Sequence, residues 1–372
     1  MLAAGENSMT KKIVVIAAGG TGGHLFPAAA FAEEMRRRDW RVVLMTDARG
    51  RRYAEGFPAE RIEDVPAATL SANPFKALPA LFRIARGVMA AERRFAELRP
   101  ALTAGFGGYP SLPALLAARA RGVAILIHEQ NAVLGRVNRA MAASAAAIAC
   151  GFERLDRLPA GAAGRKYVIG NPVRAPILAA REKPYPEAPA GARLSLLITG
   201  GSQGARLFGE VAPAAIALLP ADLRARLDIV QQAREEQVGA VKAVYARAGV
   251  NAEIAPFFTD MGPRLAAAHL VISRAGASSV TELQAAGRPA ILVPFAAAAD
   301  DHQSANAEGL TAVGAADVVR EQEFEPAMLA ALLERRLNDP HGLAVRAAAA
   351  RASAKPEAAK HLADLAESVA GA

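Results

Sequence analysis

The sequence has little of what disulfide-linked, metal-holding or membrane-spanning proteins need. Its 372 residues include one cysteine, Cys150, so the chain cannot form an internal disulfide, and no cysteine or histidine stands at metal-ligand spacing from it. No apolar run approaches the roughly 20 residues that cross a bilayer, and residues 1–10 lack the apolar segment of a signal peptide. We therefore expect a protein of a reducing compartment without a membrane span, in which Cys150 fills the core.

Acidic residues are outnumbered as well, with 36 Asp and Glu against 44 Lys and Arg, which gives a formal net charge of +8. Such an excess suits nucleic acid, an anionic membrane surface or a phosphorylated substrate. Because the basic residues are scattered and no aromatic platform accompanies them, nucleic acid is the least favoured of these partners.

Short apolar runs alternate with longer alanine-rich, charged stretches through both halves of the chain. This pattern predicts an α/β protein with parallel sheets and helices on both faces, and the length fits two domains. Strands are predicted at residues 13–18, 41–45, 102–105, 124–128 and 147–149, and again at 194–199, 228–231, 252–255, 270–273 and 290–293. Because proline interrupts the pattern between these sets, we place the domain boundary near Pro172.

A glycine-rich turn follows the first predicted strand of each half, at residues 19–24 and 200–204. The first turn does not fit the dinucleotide fingerprint, because Leu25 stands where the third glycine belongs, and no Gly-Lys-Ser or Gly-Lys-Thr ending marks a nucleoside triphosphatase. Glycines let backbone N–H groups approach a phosphate or sugar at a helix N-terminus. We therefore expect two Rossmann-like domains that hold a nucleotide-linked ligand between them.

Polar side chains at the ends of predicted strands are the candidates for chemistry in the first half. His24 opens the helix after the first glycine turn, where it either takes a proton from a hydroxyl group or orders the turn. His128, Glu129 and Asn131 directly follow an apolar strand. The first two could orient or deprotonate a hydroxyl group, and Asn131 could donate a hydrogen bond to a sugar or diphosphate.

The second half has a comparable turn at residues 273–282. Its N–H groups, with the hydroxyl groups of Ser278 and Ser279, predict an anion site to which Arg274 could add a charge. Glu282 stands one turn into the helix, and its carboxylate could accept from both hydroxyl groups of a ribose. The polar residues at 300–306 suit a hexose; they include no ligand cluster for a metal, so no metal site is expected.

Residues 73–86 combine large apolar side chains with cations, and the cations continue to Arg94. This composition fits a helix that lies on an anionic lipid surface, although a core helix with a basic outer face fits equally.

Together these motifs closely resemble the MurG family, the bacterial N-acetylglucosaminyltransferases of peptidoglycan synthesis, which have the GT-B fold of two Rossmann-like domains facing a central cleft. The matching segments occur in order at residues 19–24, 107–109, 128–131, 170–174, 200–205, 274–282 and 301–306. The resemblance implies an acceptor and membrane-side domain over residues 10–172, joined by a C-terminal helix at 347–372, and a donor-binding domain over residues 173–346.

The resemblance also implies the reaction. N-acetylglucosamine would pass from UDP-N-acetylglucosamine (UDP-GlcNAc) to the C4 hydroxyl group of the MurNAc residue in lipid I, the undecaprenyl-diphospho-MurNAc-pentapeptide, to give lipid II with inversion. The enzyme would act peripherally at the cytoplasmic face of the cell inner membrane, without a cofactor. His24 would be the base, with Glu129 as the second candidate.

Site residues follow from the same resemblance. Those matching donor-binding positions are Thr21, Gly22, Gly23, Asn131, Arg174, Ser202, Phe258, Ala277, Ser278, Ser279, Val280, Thr281, Glu282 and Gln303. Tyr109 and His128, with His24 and Glu129, match acceptor-side positions, and Phe258 would meet the uracil through its backbone. The membrane surface would be formed by Phe75, Leu78, Leu81, Phe82, Arg83 and Arg86.

Three other functions are compatible with two Rossmann-like domains: another lipid glycosyltransferase, a UDP-sugar 2-epimerase, and a nucleotide-sugar-binding protein without catalysis. An epimerase would convert the nucleotide sugar without an acceptor. A binding protein would have no use for His24, His128 and Glu129 together.

Overall fold

The computed structural model describes residues 11–52, 54–69, 74–189, 191–201 and 204–371, without the side chains of Pro74 and Lys76. Within these residues the chain forms two parallel sheets, one of seven strands and one of six, each covered by helices on both faces. The expectation of an α/β protein with two Rossmann-like units is therefore confirmed. We call the units the N-terminal lobe and the C-terminal lobe.

The strands are β1 (Ile13–Ala17), β2 (Arg41–Thr46), β3 (Arg61–Asp64), β4 (Leu102–Gly105), β5 (Ala124–Glu129), β6 (Ala147–Cys150) and β7 (Lys166–Val168) in the N-terminal lobe, and β8 (Leu194–Thr199), β9 (Leu227–Gln232), β10 (Asn251–Ala255), β11 (Leu270–Ser273), β12 (Ala290–Leu292) and β13 (Ala316–Val318) in the C-terminal lobe.

The helices are α1 (Gly22–Arg37), α2 (Ala48–Arg51), α3 (Pro74–Leu98), α4 (Leu112–Ala120), α5 (Arg136–Met141), α6 (Ala175–Arg181), α7 (Arg206–Ala217), α8 (Ala221–Ala225), α9 (Val238–Arg247), α10 (Met261–Ala267), α11 (Ala277–Ala286), α12 (His302–Thr311), α13 (Pro326–Leu337), α14 (Pro340–Ala352) and α15 (Ala358–Gly371).

Strand order determines where a ligand can bind. The sheets run β3-β2-β1-β4-β5-β6-β7 and β10-β9-β8-β11-β12-β13, so the direction of winding reverses between β1 and β4 and between β8 and β11. In open parallel sheets a crevice forms at this switch point, beyond the carboxyl ends of the strands. The first glycine turn follows β1 and the second follows β8, so each turn lies at the switch point of its lobe.

The strands that the sequence did not predict are β3, β7 and β13, and each is an edge strand. An edge strand is buried by neighbours on one side only, so it needs no continuous apolar run. Their sequences, Arg-Ile-Glu-Asp, Lys-Tyr-Val and Ala-Asp-Val, include charged residues. The central strands are buried on both faces and therefore had the apolar runs that identified them.

Helix α15 belongs to the core of the N-terminal lobe although it follows the C-terminal lobe in sequence. Its Leu362, Ala363 and Ala366 are buried with residues of α1 and the first sheet. Arg38, at the end of α1, donates to Asp364 at 2.7 Å and to Glu367 at 2.8 Å. The preceding helix, α14, packs against α11 and α13 of the C-terminal lobe, so the chain crosses between the lobes after Ala352.

Arg288 is a fully buried cation whose guanidinium binds the C-terminal carbonyl groups of two helices in the C-terminal lobe. It is 1% exposed and donates to carbonyl groups in the last turns of α10 and α11, those of Leu265 at 2.6 Å, Ala266 at 2.7 Å and Ala286 at 2.7 Å. Burial lowers its pKa to about 10, so the guanidinium remains charged at neutral pH. A cation is favoured there because helix C-termini carry partial negative charge.

We expect Arg288→Ala to lower the free energy of unfolding by about 3–5 kcal/mol, because the change leaves buried carbonyl groups unpaired and opens a cavity. Urea unfolding followed by circular dichroism measures it. The control is Arg206→Ala, at a position whose side chain is 72% exposed, where a change within about 0.5 kcal/mol is expected. Equal unfolding midpoints for Arg288→Ala and the wild type would contradict this role.

Candidate active site

Two open helix N-termini face the seam between the lobes. A narrow pocket at the seam is lined by Phe26 and Pro27 of α1, by residues 171–174 of the linking segment, and by Ser278, Thr281 and Glu282 of α11. Thr21 and Gly276 are the N-caps of α1 and α11, and neither helix has a side-chain cap. The first N–H groups of both helices therefore remain available to a ligand, and the helix dipoles favour an anion.

Arg174 and Glu282 form an ion pair across this pocket. The Arg174 guanidinium donates to Glu282 Oε1 at 2.9 Å and stacks on the Phe26 ring, 4.1 Å from its centroid. Burial raises the pKa of Glu282, and Arg174 opposes that shift. The pair thus places a carboxylate and a cation side by side, which suits a ligand with both hydroxyl groups and a diphosphate.

Several buried polar atoms around the pocket lack a hydrogen bond within the described part of the chain. They are Asn171 Oδ1, Arg174 Nε and Ser278 Oγ. Buried polar groups are nearly always hydrogen-bonded, so these atoms fit a polar ligand at this position. Ser279 Oγ lies close to both the glycine turn after β8 and the start of α11, because a Cβ added to Gly201 or to Gly276 would approach it to 3.8 or 3.9 Å. Ser202 lies outside the described residues.

On the N-terminal side, His24 rests on the glycine turn that follows β4. Gly107 and Gly108 have φ values of +82° and +76°, and a Cβ on either would approach the imidazole ring to 3.5 or 3.3 Å. The positive φ values favour glycine at both positions, and at Gly108 a Cβ would also lie only 2.7 Å from the Gly19 carbonyl oxygen. His24 Nδ1 lies 3.0 Å from Gln130 Oε1, so the imidazole is held at the switch point of the N-terminal lobe.

The Glu129 carboxylate is hydrogen-bonded to donors of the segment that follows it. One carboxylate oxygen accepts from the backbone and side-chain nitrogens of Asn131, and the other accepts from Gly135 N and Asn138 Nδ2, all at 2.9–3.1 Å. The side chain is buried. Since four donors already use the carboxylate, its geometry fits a group that shapes the loop after β5 better than one that receives a substrate proton.

His128 is buried beneath the same loop. Its Nε2 lies 3.1 Å from the Gly170 carbonyl oxygen and its Nδ1 lies 3.0 Å from Gln130 Nε2. Burial lowers the pKa of His128 from its ordinary 6.5 to about 4, with the Gly170 hydrogen bond opposing the shift. The ring is therefore neutral at physiological pH, and its two nitrogens are used by Gly170 and Gln130.

The lowered pKa of His128 predicts that the free energy of unfolding falls at acid pH because of this residue. The unfolded chain takes up a proton there below about pH 6.5 and the folded protein only near pH 4, so stability from this group is present above pH 6.5 and is lost as the pH falls. We expect the drop in unfolding free energy between pH 7 and pH 5 to be about 2 kcal/mol smaller in His128→Phe than in the wild type. Urea titrations at both pH values measure it.

The control for this experiment is His341→Phe, at an exposed position of α14, which should leave the drop unchanged. An equal drop in His128→Phe and the wild type would show that His128 protonates as readily in the folded as in the unfolded state.

Tyr109 directly follows Gly108 in the turn after β4. Its hydroxyl group donates to Asp47 Oδ2 at 2.6 Å, while Asp47 Oδ1 accepts from Gly50 N and caps α2. Burial and the Asp47 carboxylate together raise the pKa of Tyr109. Tyr109 therefore links the turns after β2 and β4.

Two donor-side residues that the sequence indicated are held by neighbours. Phe258 is buried beneath the guanidinium of Arg264, 4.0 Å from the ring centroid, which leaves its backbone as the part able to meet a ligand. Gln303 Oε1 accepts from Phe295 N at 2.9 Å, so its amide NH₂ group remains able to donate to a ligand.

Arg274 does not serve the anion site as the sequence suggested. Its guanidinium is buried and donates to Glu321 Oε1 at 3.0 Å and to the Val293 carbonyl oxygen at 3.2 Å. Glu321 in turn accepts from Ala296 N at 2.8 Å. Arg274 thus fixes the loop after β12, and its charge is already paired.

Three amides at the seam, all within the sequence motifs, make contacts with other segments that the sequence did not indicate. Asn171 donates to the Gln130 carbonyl oxygen and to Thr281 Oγ1, both at 3.0 Å. Asn306 donates to Asn131 Oδ1 and accepts from Ala132 N. These contacts, and that of Gln130 with His24, join segments far apart in sequence, so only a structure could reveal them.

An apolar surface on α3 lies outside the seam. Phe75, Leu78 and Phe82 are 89%, 73% and 66% exposed, and Leu81 and Met89 are exposed on the same side. Their helical spacing places them on one face, which Arg83 and Arg86 flank as exposed cations. We call Phe75, Leu78, Leu81, Phe82, Arg83 and Arg86 the α3 surface. In the described ranges no helix combines the length and apolar character needed to traverse a bilayer.

Metal ligands do not gather in the part of the chain that the structure describes. No three His, Cys, Asp or Glu side chains there lie close enough together to hold a metal ion.

Comparison with known proteins assigns the family. The profile of the glycosyltransferase family 28 N-terminal domain matches residues 14–150, and that of the C-terminal domain matches residues 195–362. A UDP-N-acetylglucosamine--N-acetylmuramyl-(pentapeptide) pyrophosphoryl-undecaprenol N-acetylglucosamine transferase of Maricaulis maris is 53% identical over 95% of this chain and 97% of its own. The protein of the same description from Caulobacter vibrioides is 50% identical over 96% and 99%.

Solved structures agree with this assignment. MurG of Acinetobacter baumannii has a TM-score of 0.77 at 34% identity and covers 96% of this chain and 99% of its own. A UDP-GlcNAc 2-epimerase of Neisseria meningitidis has a TM-score of 0.67 over 95% and 98% of the two chains, but at 12% identity it shares the fold alone. The chain belongs to glycosyltransferase family 28 and, within it, to the MurG family.

Proposed function

We propose that this enzyme transfers N-acetylglucosamine from UDP-GlcNAc to the C4 hydroxyl group of MurNAc in lipid I, with inversion at the anomeric carbon. The observation that carries the proposal is the seam itself, where an uncapped α11 N-terminus and the Arg174–Glu282 pair lie against Phe26 of α1, the helix that also carries His24. Similarity over nearly the full length to transferases with this named activity supports it.

The two lobes have different parts in this proposal. The acceptor-side domain comprises residues 10–172 with α15, the part of the expected C-terminal helix at 347–372 that packs on the N-terminal lobe. The donor-side domain comprises residues 173–346 with the end of α14, which packs on the C-terminal lobe. Glu282 accepts from the ribose hydroxyl groups, and the α11 N–H groups with Arg174 hold the diphosphate. The remaining donor contacts come from Thr21, Gly22, Gly23, Asn131, Ser202, Phe258, Gln303 and the first turn of α11, residues 277–281.

His24 is the proposed base. As the C4 oxygen of the acceptor attacks the anomeric carbon, the bond to the diphosphate oxygen breaks and the hydroxyl proton moves to the imidazole. The charge that develops on the departing UDP is balanced by Arg174 and by N–H groups that already point into the seam. These groups supply the charge balance that a divalent ion provides elsewhere, so we expect transfer to continue in a chelator.

A transfer assay tests the function directly. Radiolabelled UDP-GlcNAc and a short-chain lipid I analogue are incubated in detergent with EDTA, and each alternative nucleotide sugar is tried in turn. We expect a disaccharide product from UDP-GlcNAc alone among the donors. Conversion of the nucleotide sugar without acceptor would indicate an epimerase, and donor binding without product would indicate a binding protein; either result would overturn the proposal.

We also propose that the α3 surface holds the enzyme peripherally on an anionic membrane, at the cytoplasmic face of the cell inner membrane. Exposed contiguous apolar side chains mark contact sites, and flanking arginines attract anionic headgroups while their stems lie along the apolar layer. A lipid-linked acceptor would be presented from that surface.

We expect the double variant Leu78→Ser/Phe82→Ser to weaken binding to vesicles of anionic and zwitterionic lipid by more than about tenfold, since each exposed side chain loses apolar area that the membrane would bury. Vesicle sedimentation measures it. Val345→Ser, which changes an exposed valine of α14, is the matched control and should bind like the wild type. Equal sedimentation of the double variant and the wild type would exclude this surface.

A further inference from the structure

A chain of hydrogen bonds behind His24 determines which of its ring nitrogens carries a proton. The chain begins at Gly170, whose carbonyl oxygen lies 3.1 Å from His128 Nε2. A carbonyl oxygen can only accept, so Nε2 carries the hydrogen. Because the buried ring is neutral, His128 Nδ1 keeps its lone pair.

Gln130 links the tautomer of His128 to that of His24. Its Nε2 lies 3.0 Å from His128 Nδ1 and 3.1 Å from the His128 carbonyl oxygen, and both of these atoms are acceptors. The amide group is thus oriented with its NH₂ toward His128 and its oxygen toward His24. Since Gln130 Oε1 can only accept, the partner at 3.0 Å, His24 Nδ1, must donate.

We propose that Gln130, oriented by His128, is a positioning residue that holds His24 in the Nδ1–H tautomer and leaves the lone pair on Nε2. The inference rests on the proposed function, in which His24 is the base. Free imidazole side chains favour the opposite, Nε2–H tautomer, so without this chain the lone pair would face Gln130 instead of the substrate.

The arrangement fixes a tautomer and does not conduct protons. When Nε2 takes the acceptor proton, Nδ1–H stays in place and the positive charge lies opposite Gln130 Oε1, while the amide and neutral His128 keep their hydrogens. Gln130 and His128 are both buried, which strengthens their hydrogen bonds and excludes competing water. In catalytic triads, a partner that imposes the wrong tautomer is known to reduce kcat severely.

Nuclear magnetic resonance of the full chain labelled with ¹⁵N-histidine tests the tautomer without reference to activity. The two tautomers differ in their nitrogen shifts and in couplings to the ring protons, and the His24 signals are assigned by their loss in His24→Gln. We expect the Nδ1–H pattern for His24 in the wild type and a shift toward the Nε2–H pattern in Gln130→Leu. An Nε2–H pattern in the wild type, or an unchanged pattern in Gln130→Leu, would overturn the proposal.

Kinetics provide the second readout. Gln130→Leu should lower kcat by at least about tenfold while the KM for UDP-GlcNAc stays within about threefold, because the tautomer affects the base and not donor binding. Gln130→Glu keeps an acceptor for Nδ1–H, and in its protonated form the second oxygen can donate to His128 as the amide does, so this variant should recover part of kcat. His341→Gln, at an exposed histidine, is the control and should match the wild type.

The two proposals fail separately. Full transfer by His24→Ala would refute the base and with it a catalytic purpose for Gln130, whatever the spectrum shows. A wild-type kcat in Gln130→Leu together with a large loss in His24→Ala would refute the positioning role and leave the base assignment standing.

Discussion

Replacement of His24 by alanine is expected to lower kcat by about 100-fold or more, with the KM for UDP-GlcNAc within about threefold of the wild type. A positioned general base contributes about 10²–10⁴-fold, and the change removes it without touching the Arg174–Glu282 pair. The imidazole rests on Gly107 and Gly108, so alanine leaves a small gap at the seam and no buried charge.

Initial rates with the short-chain lipid I analogue measure this effect, at saturating acceptor so that chemistry is observed. Glu129→Gln is the informative comparison. Glutamine retains only one oxygen for the two pairs of donors that Glu129 satisfies, so this variant should lose stability as well as rate. A His24→Ala turnover within about threefold of the wild type would eliminate His24 as the base.

The second large effect is expected at Glu282. We expect Glu282→Ala to raise the KM for UDP-GlcNAc by about 10- to 100-fold, which corresponds to the loss of hydrogen bonds between a carboxylate and the ribose hydroxyl groups. The change also releases Arg174 from its 2.9 Å contact, so Glu282→Gln, which keeps one acceptor beside Arg174, should give a smaller rise.

A donor that lacks the ribose 2′-hydroxyl group isolates the contact. The wild type should discriminate against the 2′-deoxyribose analogue of UDP-GlcNAc, and Glu282→Ala should treat the two donors alike. Since burial raises the pKa of Glu282, protonation at acid pH removes an acceptor, and the wild-type discrimination should weaken as the pH falls. Undiminished discrimination by Glu282→Ala would place the ribose elsewhere.

The central strands of each sheet could be predicted from the sequence, but of the four edge strands only β10 could. The apolar run at 13–18 corresponds to β1, whose residues are all buried. β3 and β7 are paired on one side only, so partly exposed sequences such as Arg-Ile-Glu-Asp suffice there. Hydrophobic periodicity reports burial, and burial is weakest at an edge.

The candidate site was predictable where chemistry is local and unpredictable where it depends on distant partners. Glycine turns after strands and the carboxylate at Glu282 could be recognised within a few residues of sequence. The pairing of Arg274 with Glu321 spans 47 residues, and the contact of His24 with Gln130 spans 106. Whether a cation is free, or which nitrogen of an imidazole donates, depends on such contacts and was therefore beyond sequence reasoning.

The position of α15 determines when the N-terminal lobe can complete its folding. Because Leu362, Ala363 and Ala366 complete the apolar layer against α1, apolar residues of the N-terminal lobe stay uncovered during synthesis until α15 leaves the ribosome. Folding of the N-terminal lobe is thus completed only by a helix that is synthesised after the C-terminal lobe. A nascent chain stalled within the C-terminal lobe would be a natural client for chaperones.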